Sequence, residues 1–189
     1  MVRTVAWQRA DGNRGHSIAR MATVDGHRLF QGCEVVAGPV ELLACYFRVL
    51  LDRDWVTREV DVSAVSDTGE RRLRLTADEH RRWYVDGEPR KSLDGCLDVD
   101  IAATPLTNTF PIRRLEDLRT GDSVTSPVAW IDVPALGVTR VEQTYRRLGP
   151  VDVGQAWEYG DPTHGSFTLT VDSDGLVVDY EGFATRVPA

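Results

Sequence analysis

The stretch Phe167-Thr-Leu-Thr-Val-Asp-Ser-Asp-Gly-Leu-Val-Val-Asp-Tyr180 alternates apolar and polar residues on both sides of an Asp-Gly pair. Phe167, Leu169 and Val171 share one face before the turn, and Leu176, Val178 and Tyr180 continue after it. A period of two with Asp-Gly at its centre predicts a β-hairpin, because Asp-Gly readily takes the positive φ angles of a tight turn. Asp-Gly recurs at 11–12, 25–26, 86–87 and 94–95, and the alternation recurs with it. Val56, Arg58, Val60 and Val62 share one face, opposite Trp55, Thr57, Glu59 and Asp61. Leu73 and Leu75 alternate with arginines, and Thr139, Val141, Gln143 and Tyr145 oppose Val138, Arg140, Glu142 and Thr144. Tyr46 to Leu51 reads as a buried strand. These segments predict a mainly β protein built on an antiparallel sheet.

One segment breaks the alternation. In Thr107 to Leu118 either Thr107 or Asn108 can cap a helix, Pro111 suits its first turn, and Ile112, Leu115 and Leu118 lie three apart. Gly121 is placed to end it.

Composition limits the function. The chain has 189 residues, 42% hydrophobic and 27% charged, with a formal net charge of −7. That size suits one domain spanning 1–189, and the acidic balance argues against nucleic acid as a partner held through its phosphates. The beginning turns polar at once, and the longest apolar run, Leu42 to Phe47, is far short of the ~20 residues of a spanning helix. Cys33, Cys45 and Cys96 form no Cys-x-x-Cys pair. A cytoplasmic protein that does not span a membrane, with reduced thiols, is expected. His16, His27, His80 and His164 stand apart, so no metal is expected, and no nucleophile elbow, phosphate loop or dinucleotide fingerprint is present.

Chemistry concentrates between Asp94 and Leu115. On a strand, Asp98 and Asp100 point to one face about 7 Å apart. They could share a metal with a nucleotide-sugar or act as acid and base on a glycoside, or accept hydrogen bonds from Arg113 or Arg114, or from turn amides, and fix a strand-to-helix corner. Arg58, beside Val56 and Val60, either pairs with an internal carboxylate or reaches into a cavity holding an anionic or hydroxylated ligand. Trp7, Trp55, Trp83, Trp130 and Trp157 could stack on sugars or pack the core.

The run Thr104-Pro-Leu-Thr-Asn-Thr-Phe-Pro-Ile-Arg-Arg-Leu115 resembles the signature of the bacterial family described as "putative glycolipid-binding", formerly a family of unknown function. Matches flank it in order: Tyr46-x-Arg48-Val49, Asp52-x-x-Trp55-x-x-Arg58, Gly95-Cys-x-Asp98-x-Asp100, Gln143-x-Tyr145, Tyr159, and Val171 to Val177 through Tyr180 and Arg186. The acidic residue usual near the first strand is replaced around Gly15-His16-Ser17. The resemblance implies a spirally rolled antiparallel sheet wrapped around a single α-helix, similar to half-barrel lipoprotein carriers. It places the helix at about Asn108 to Leu118, with Ile112 and Leu115 facing the interior and Arg113 or Arg114 meeting Asp98, Asp100 or Asp52. It implies a cofactor-free binder of a glycolipid or other amphipathic molecule, without catalysis, in which a cavity buries acyl chains. Trp55, Arg58, Asp98, Asp100, Asn108, Arg113, Arg114 and Tyr145 are its candidate ligand-binding residues. Two other readings stand beside it: a carbohydrate-active enzyme using Asp98 and Asp100, and a packed-core interaction domain with no ligand. An open sheet edge could also pair two copies into a homodimer.

Overall fold

A computed structural model describes residues 2–39 and 42–188. Six strands follow one another as an antiparallel meander: β1 (Val2–Arg9), β2 (Arg14–Val24), β3 (His27–Ala37), β4 (Leu42–Leu51), β5 (Thr57–Ser66) and β6 (Gly69–Ala77). The short β7 (Trp83–Val85) and β8 (Glu88–Pro89) extend it to one edge. A second meander runs through β10 (Ser123–Ile131), β11 (Val138–Val151), β12 (Gly154–Asp161), β13 (Gly165–Val171), β14 (Val177–Tyr180) and β15 (Ala184–Arg186). β15 pairs back onto β1, with Trp7 opposite Arg186, so the two meanders form one continuous sheet of fifteen strands.

At the far edge lies β9 (Asp98–Ile101), parallel to β10. Parallel neighbours need a crossover between them, and this crossover carries the helix. The sheet curls until β9 comes beside β5: the Thr57 amide donates to the Leu97 carbonyl at 2.9 Å, and the Val99 amide to the Thr57 hydroxyl at 3.2 Å. The strands at the two ends of the sheet are short. β8 is two residues ending in a proline, which has no N–H to donate, and β9 faces β5.

The helical segment is shorter and starts earlier than its periodicity implies. A 3-10 turn over Pro105–Asn108 leads into α1 (Thr109–Arg114). Thr104, rather than Thr107 or Asn108, is the cap: its side chain accepts from the Leu106 amide, and Pro105 stands directly behind it. Leu115 closes α1 and Leu118 lies beyond it. Pro105 to Ile112 are all buried, which a helix shows only when it is enclosed on every side. Phe110 packs on Phe30 at 4.9 Å between ring centroids, in the larger core cluster. Ile112 packs with Tyr145, Trp157, Tyr159 and Leu169 in a second one.

Two bulges revise the predicted faces. A register shift at Leu50/Leu51 turns Thr57 inward, fully buried, and leaves Val56 and Arg58 half-buried; regular alternation resumes at Val60. A second shift at Thr170/Val171 puts Val177 in the core beside Leu176, with Val178 half-buried. One extra residue in a strand inverts the parity of everything beyond it, and alternation alone does not reveal where it sits.

Candidate functional site

The crossover that carries α1 organises the polar interior. Asp98, at the start of β9, is 1% exposed and accepts 2.6 Å from Arg114 Nη1 at Oδ1, while Arg114 Nη2 binds Oδ2. Burial pushes the Asp98 carboxyl up, and Arg114 opposes that shift. Burial works against the Arg114 charge, but Asp98 outweighs it and holds the guanidinium above its ordinary range. Two residues on, the Asp100 oxygens accept from the Thr107 hydroxyl at 2.7 Å and the Gln143 amide at 2.6 Å. Burial raises its carboxyl as well. Tyr145, 2% exposed, donates at 2.8 Å to Asn108 Oδ1. β9, the crossover and β11 are thus tied together by side chains.

From Asp100 the network runs outward. Gln143 Nε2 also lies 2.8 Å from the Tyr159 hydroxyl, and Tyr159 reaches Asp161 at 3.3 Å. Asp161 caps the β12–β13 turn by accepting from the Thr163 and His164 amides, and His164 Nδ1 sits 3.1 Å away. Burial raises the Asp161 carboxyl, but those amides and His164 outweigh it and bring it below the ordinary range. Burial raises the Tyr159 and Tyr180 hydroxyls, so both stay protonated donors.

The network opens into a cleft of about 280 Å³. Its walls are Trp130, Tyr159, Phe167, Tyr180 and Phe183, and its polar groups include Asp100, Asn108, Asp161, His164 and Glu181. Tyr159, Phe167, Tyr180 and Phe183 form a chain of ring contacts, with Tyr159–Phe167 at 6.4 Å, Phe167–Tyr180 at 5.7 Å and Tyr180–Phe183 at 5.0 Å between centroids, and Trp130 meets His164 at 6.4 Å. Aromatic faces with carboxylate acceptors suit a hydroxylated ring, whose C–H face stacks while its hydroxyls donate. Among the described residues no group of three or more His, Cys, Asp or Glu is placed to hold a metal ion.

A second pocket, of about 150 Å³, lies at the other end of the helical segment. Arg3, Arg28, Phe30, Trp55, Arg113 and Asp174 line it with Met21 to Thr23. A larger open groove, about 970 Å³, crosses the outer face of β1 to β6. Its Arg48 and Arg74 are engaged by Glu59 at 2.6 and 3.1 Å, and Arg20 reaches the Gln31 side-chain oxygen at 3.3 Å.

The eight sequence candidates therefore separate. Asp100 and Asn108 reach the aromatic cleft, and Trp55 and Arg113 the smaller pocket. Asp98, Arg114 and Tyr145 hold the crossover in place. Arg58 pairs with an internal carboxylate, binding Asp52 at 2.6 and 2.9 Å and the Asp78 carbonyl at 2.7 Å. Asp52 is thereby taken by Arg58, and Arg113 meets neither Asp98 nor Asp100 but Glu116 at 3.0 Å. Trp130, considered in the sequence only as one of five tryptophans, and Tyr159, a match to the family pattern, join Asp161, His164 and Phe183, which sequence reasoning missed because strands and turns far apart in the chain supply the cleft. The Asp161–His164 turn, with the Asp161 side chain buried and His164 at the rim, is the nearest thing to a signal.

Glu34 is the other residue missed. It stands directly across the ladder from Ser17, in the region where the family's usual acidic residue is replaced. It is 1% exposed, and Oε1 has no hydrogen-bond partner among the described residues. Burial pushes its carboxyl up to about 7, against the pull of the Ser17 and Thr104 hydroxyls and the Arg9 charge.

An open, curled antiparallel sheet around a buried helical crossover, with a small cleft beside that crossover, defines a class of β-rich protein with a pocket at its mouth. The chain belongs to the family described as "Putative glycolipid-binding", whose model matches residues 4–186. A crystal structure of a DUF1089 family protein from Pseudomonas aeruginosa is 34% identical, covers 90% of this chain and 92% of its own, and superposes with a TM-score of 0.75. A beta-barrel-like protein of the DUF1849 family from Brucella abortus shares the fold alone, at 12% identity and a TM-score of 0.52 over 98% of this chain and 92% of its own. No curated protein matches the chain.

Proposed function

We propose that the aromatic cleft binds the glycan headgroup of a glycolipid or similar amphiphile, and that the protein is a binder rather than an enzyme. One observation carries this reading: five aromatic side chains surround Asp100 and Asp161 in a single cleft of about 280 Å³. That volume lies at the lower end of the ~300–1,000 Å³ of small-molecule sites, suited to a sugar rather than to acyl chains. The crossover helix fills the interior with Leu106, Phe110 and Ile112, so the acyl chains stay in their bilayer or micelle and the headgroup alone enters. Three carboxylates line the mouth, Asp100, Asp161 and Glu181, which favours a neutral, hydroxyl-rich headgroup. The carboxylates support a binder: Asp98 is occupied by Arg114, and both Asp100 oxygens already accept hydrogen bonds. Three unbridged cysteines, with burial holding the Cys45 thiol up at about 12 and the Cys96 thiol at about 11, fit a reducing compartment such as the cytoplasm.

Titration calorimetry with a monoglycosyl diacylglycerol in detergent micelles, against the same micelles without it, tests the reading. Saturable heat that is lost in Asp100→Asn, with the variant's circular dichroism unchanged, supports it. Equal heats from both micelles would overturn it and leave a packed-core interaction domain.

A further inference from the structure

The helical segment runs between two mouths of opposite charge. The aromatic cleft carries Asp100, Asp161 and Glu181; the pocket at the other end carries Arg3, Arg28 and Arg113 with a single carboxylate, Asp174. Asp174 is itself bound by Arg3. We infer that this second pocket is a phosphate-binding site in which Arg28 and Arg113, arrayed on the ring of Trp55, grip a phosphoryl group.

The arginines are prepared for an anion. The Arg28 guanidinium lies 4.2 Å from the Trp55 ring centroid, and that of Arg113 lies 5.3 Å from it. Stacking on one ring fixes both planar groups while leaving N–H edges free to donate. Arg28 donates only to main-chain carbonyls, those of Asp52 at 3.0 Å and Arg53 at 2.6 Å, so among the described residues no carboxylate answers its charge. Arg113 Nε is buried with no hydrogen-bond partner among the described residues. A buried guanidinium N–H without an acceptor is costly, so the Arg113 side chain, held by the Ser173 carbonyl at 3.3 Å and Glu116 at 3.0 Å, gains by turning Nε toward a phosphoryl oxygen in the pocket.

The backbone around the pocket is shaped to the same end. Trp55 stands at φ +62, a conformation that a bulky residue adopts only when its surroundings impose it. The Asp52 carboxylate imposes it here, accepting from the Asp54 and Val56 amides at 2.9 and 3.0 Å. On the opposite wall, a Cβ at Gly175 would lie 2.5 Å from Arg113 Cδ, so the glycine is the space through which the arginine stem reaches the mouth. Of the three arginines in the lining, Arg3 is answered by Asp172 and Asp174 and Arg113 by the exposed Glu116, which leaves the Arg28 charge for an anion to meet. A volume of about 150 Å³ admits a phosphoryl group and excludes anything much larger attached inside it.

The site stands independently of the headgroup reading, so either can fail alone. The first test uses the native full-length protein: inorganic phosphate is titrated at constant ionic strength while the Trp55 indole and Arg113 Nε–H resonances are followed by NMR. Saturable shifts of both are expected, with affinity reduced at least about tenfold in Arg28→Gln and in Arg113→Gln. Arg90→Gln, an exposed arginine elsewhere, should leave the affinity unchanged. No saturable shift in the native protein, or equal weakening in all three variants, would overturn the site. Co-sedimentation with phosphatidylcholine vesicles containing phosphatidic acid then identifies the source. Capture that free phosphate competes away assigns the site to a lipid phosphate, and phosphate binding without capture assigns it to a soluble phosphate or phosphate ester.

Discussion

Arg114, the last residue of α1, closes two parallel hydrogen bonds on the carboxylate of Asp98, the first residue of β9, and the two side chains are 17% and 1% exposed. The pair joins both ends of the segment that contains the crossover turn, and so sets where the helical segment lies inside the sheet. A guanidinium cannot shed its proton at any ordinary pH, so removal of its partner leaves a buried charge. Asp98→Asn should therefore cost about 3–5 kcal/mol, read as a lower urea midpoint with an unchanged slope. A loss under about 1 kcal/mol would show that the crossover is held by packing alone.

Glu34 gives the fold a pH dependence of definite sign. Its carboxyl titrates at about 7 when folded, against an ordinary 4.5. The folded chain thus holds this proton more tightly than the unfolded one. The stability this provides is fully present below about pH 4.5 and is lost as pH rises through 7. At ~1.36 kcal/mol per unit, the difference amounts to about 3 kcal/mol. Glu34→Gln should match the native protein near pH 4 and exceed its stability by up to that amount at pH 8.5. Urea unfolding at the two pH values measures this, and parallel losses in both proteins would assign the dependence to other carboxyls.

Tyr145 and Trp130 separate holding from binding. Tyr145 is buried behind the cleft and its hydroxyl serves Asn108, while Trp130 forms part of the cleft wall. Tyr145→Phe should cost about 1–3 kcal/mol, since Asn108 Oδ1 loses its donor, and leave glycolipid affinity within twofold or so. Trp130→Ala should weaken that affinity by roughly 2- to 12-fold, the equivalent of ~0.5–1.5 kcal/mol of ring stacking. Calorimetry on both variants decides it, and a reversed pattern would place the ligand elsewhere.

These contrasts show what a sequence can carry. The hairpin around Asp174-Gly175 and the helical segment after Thr104 were legible because turn chemistry and apolar period are local properties. The Asp98–Arg114 pair was legible too: a carboxylate and an arginine inside one motif need each other when buried. Arg58 was misplaced by one face because a bulge at Leu50/Leu51 leaves no mark in an alternating pattern. The cleft was out of reach for a different reason. Trp130, Asp161 and Tyr180 come from β10, the end of β12 and the end of β14, and only the curl of the whole sheet brings them together. The two mouths were likewise merged into one candidate set, since Asn108 and Arg113 are five positions apart in sequence yet line different pockets.

Gly175 offers a test of how the second mouth is built. Its φ is +75, and a Cβ there would meet Arg113 Cδ at 2.5 Å and Cγ at 2.8 Å. Gly12 supplies the control, at φ +86 with nothing within 4 Å of the same position. Gly12→Ala should cost about 1 kcal/mol, the conformational term alone. Gly175→Ala carries that term and must also move the Arg113 stem, adding about 1–3 kcal/mol of overpacking. The excess should vanish in the background of Arg113→Ala, where the stem is gone, because two residues in contact do not act additively. Thermal or urea unfolding of the two glycine variants in both backgrounds measures the coupling. An excess that survives removal of Arg113 would mean that the hairpin turn itself, rather than the passage of the arginine, demands the glycine.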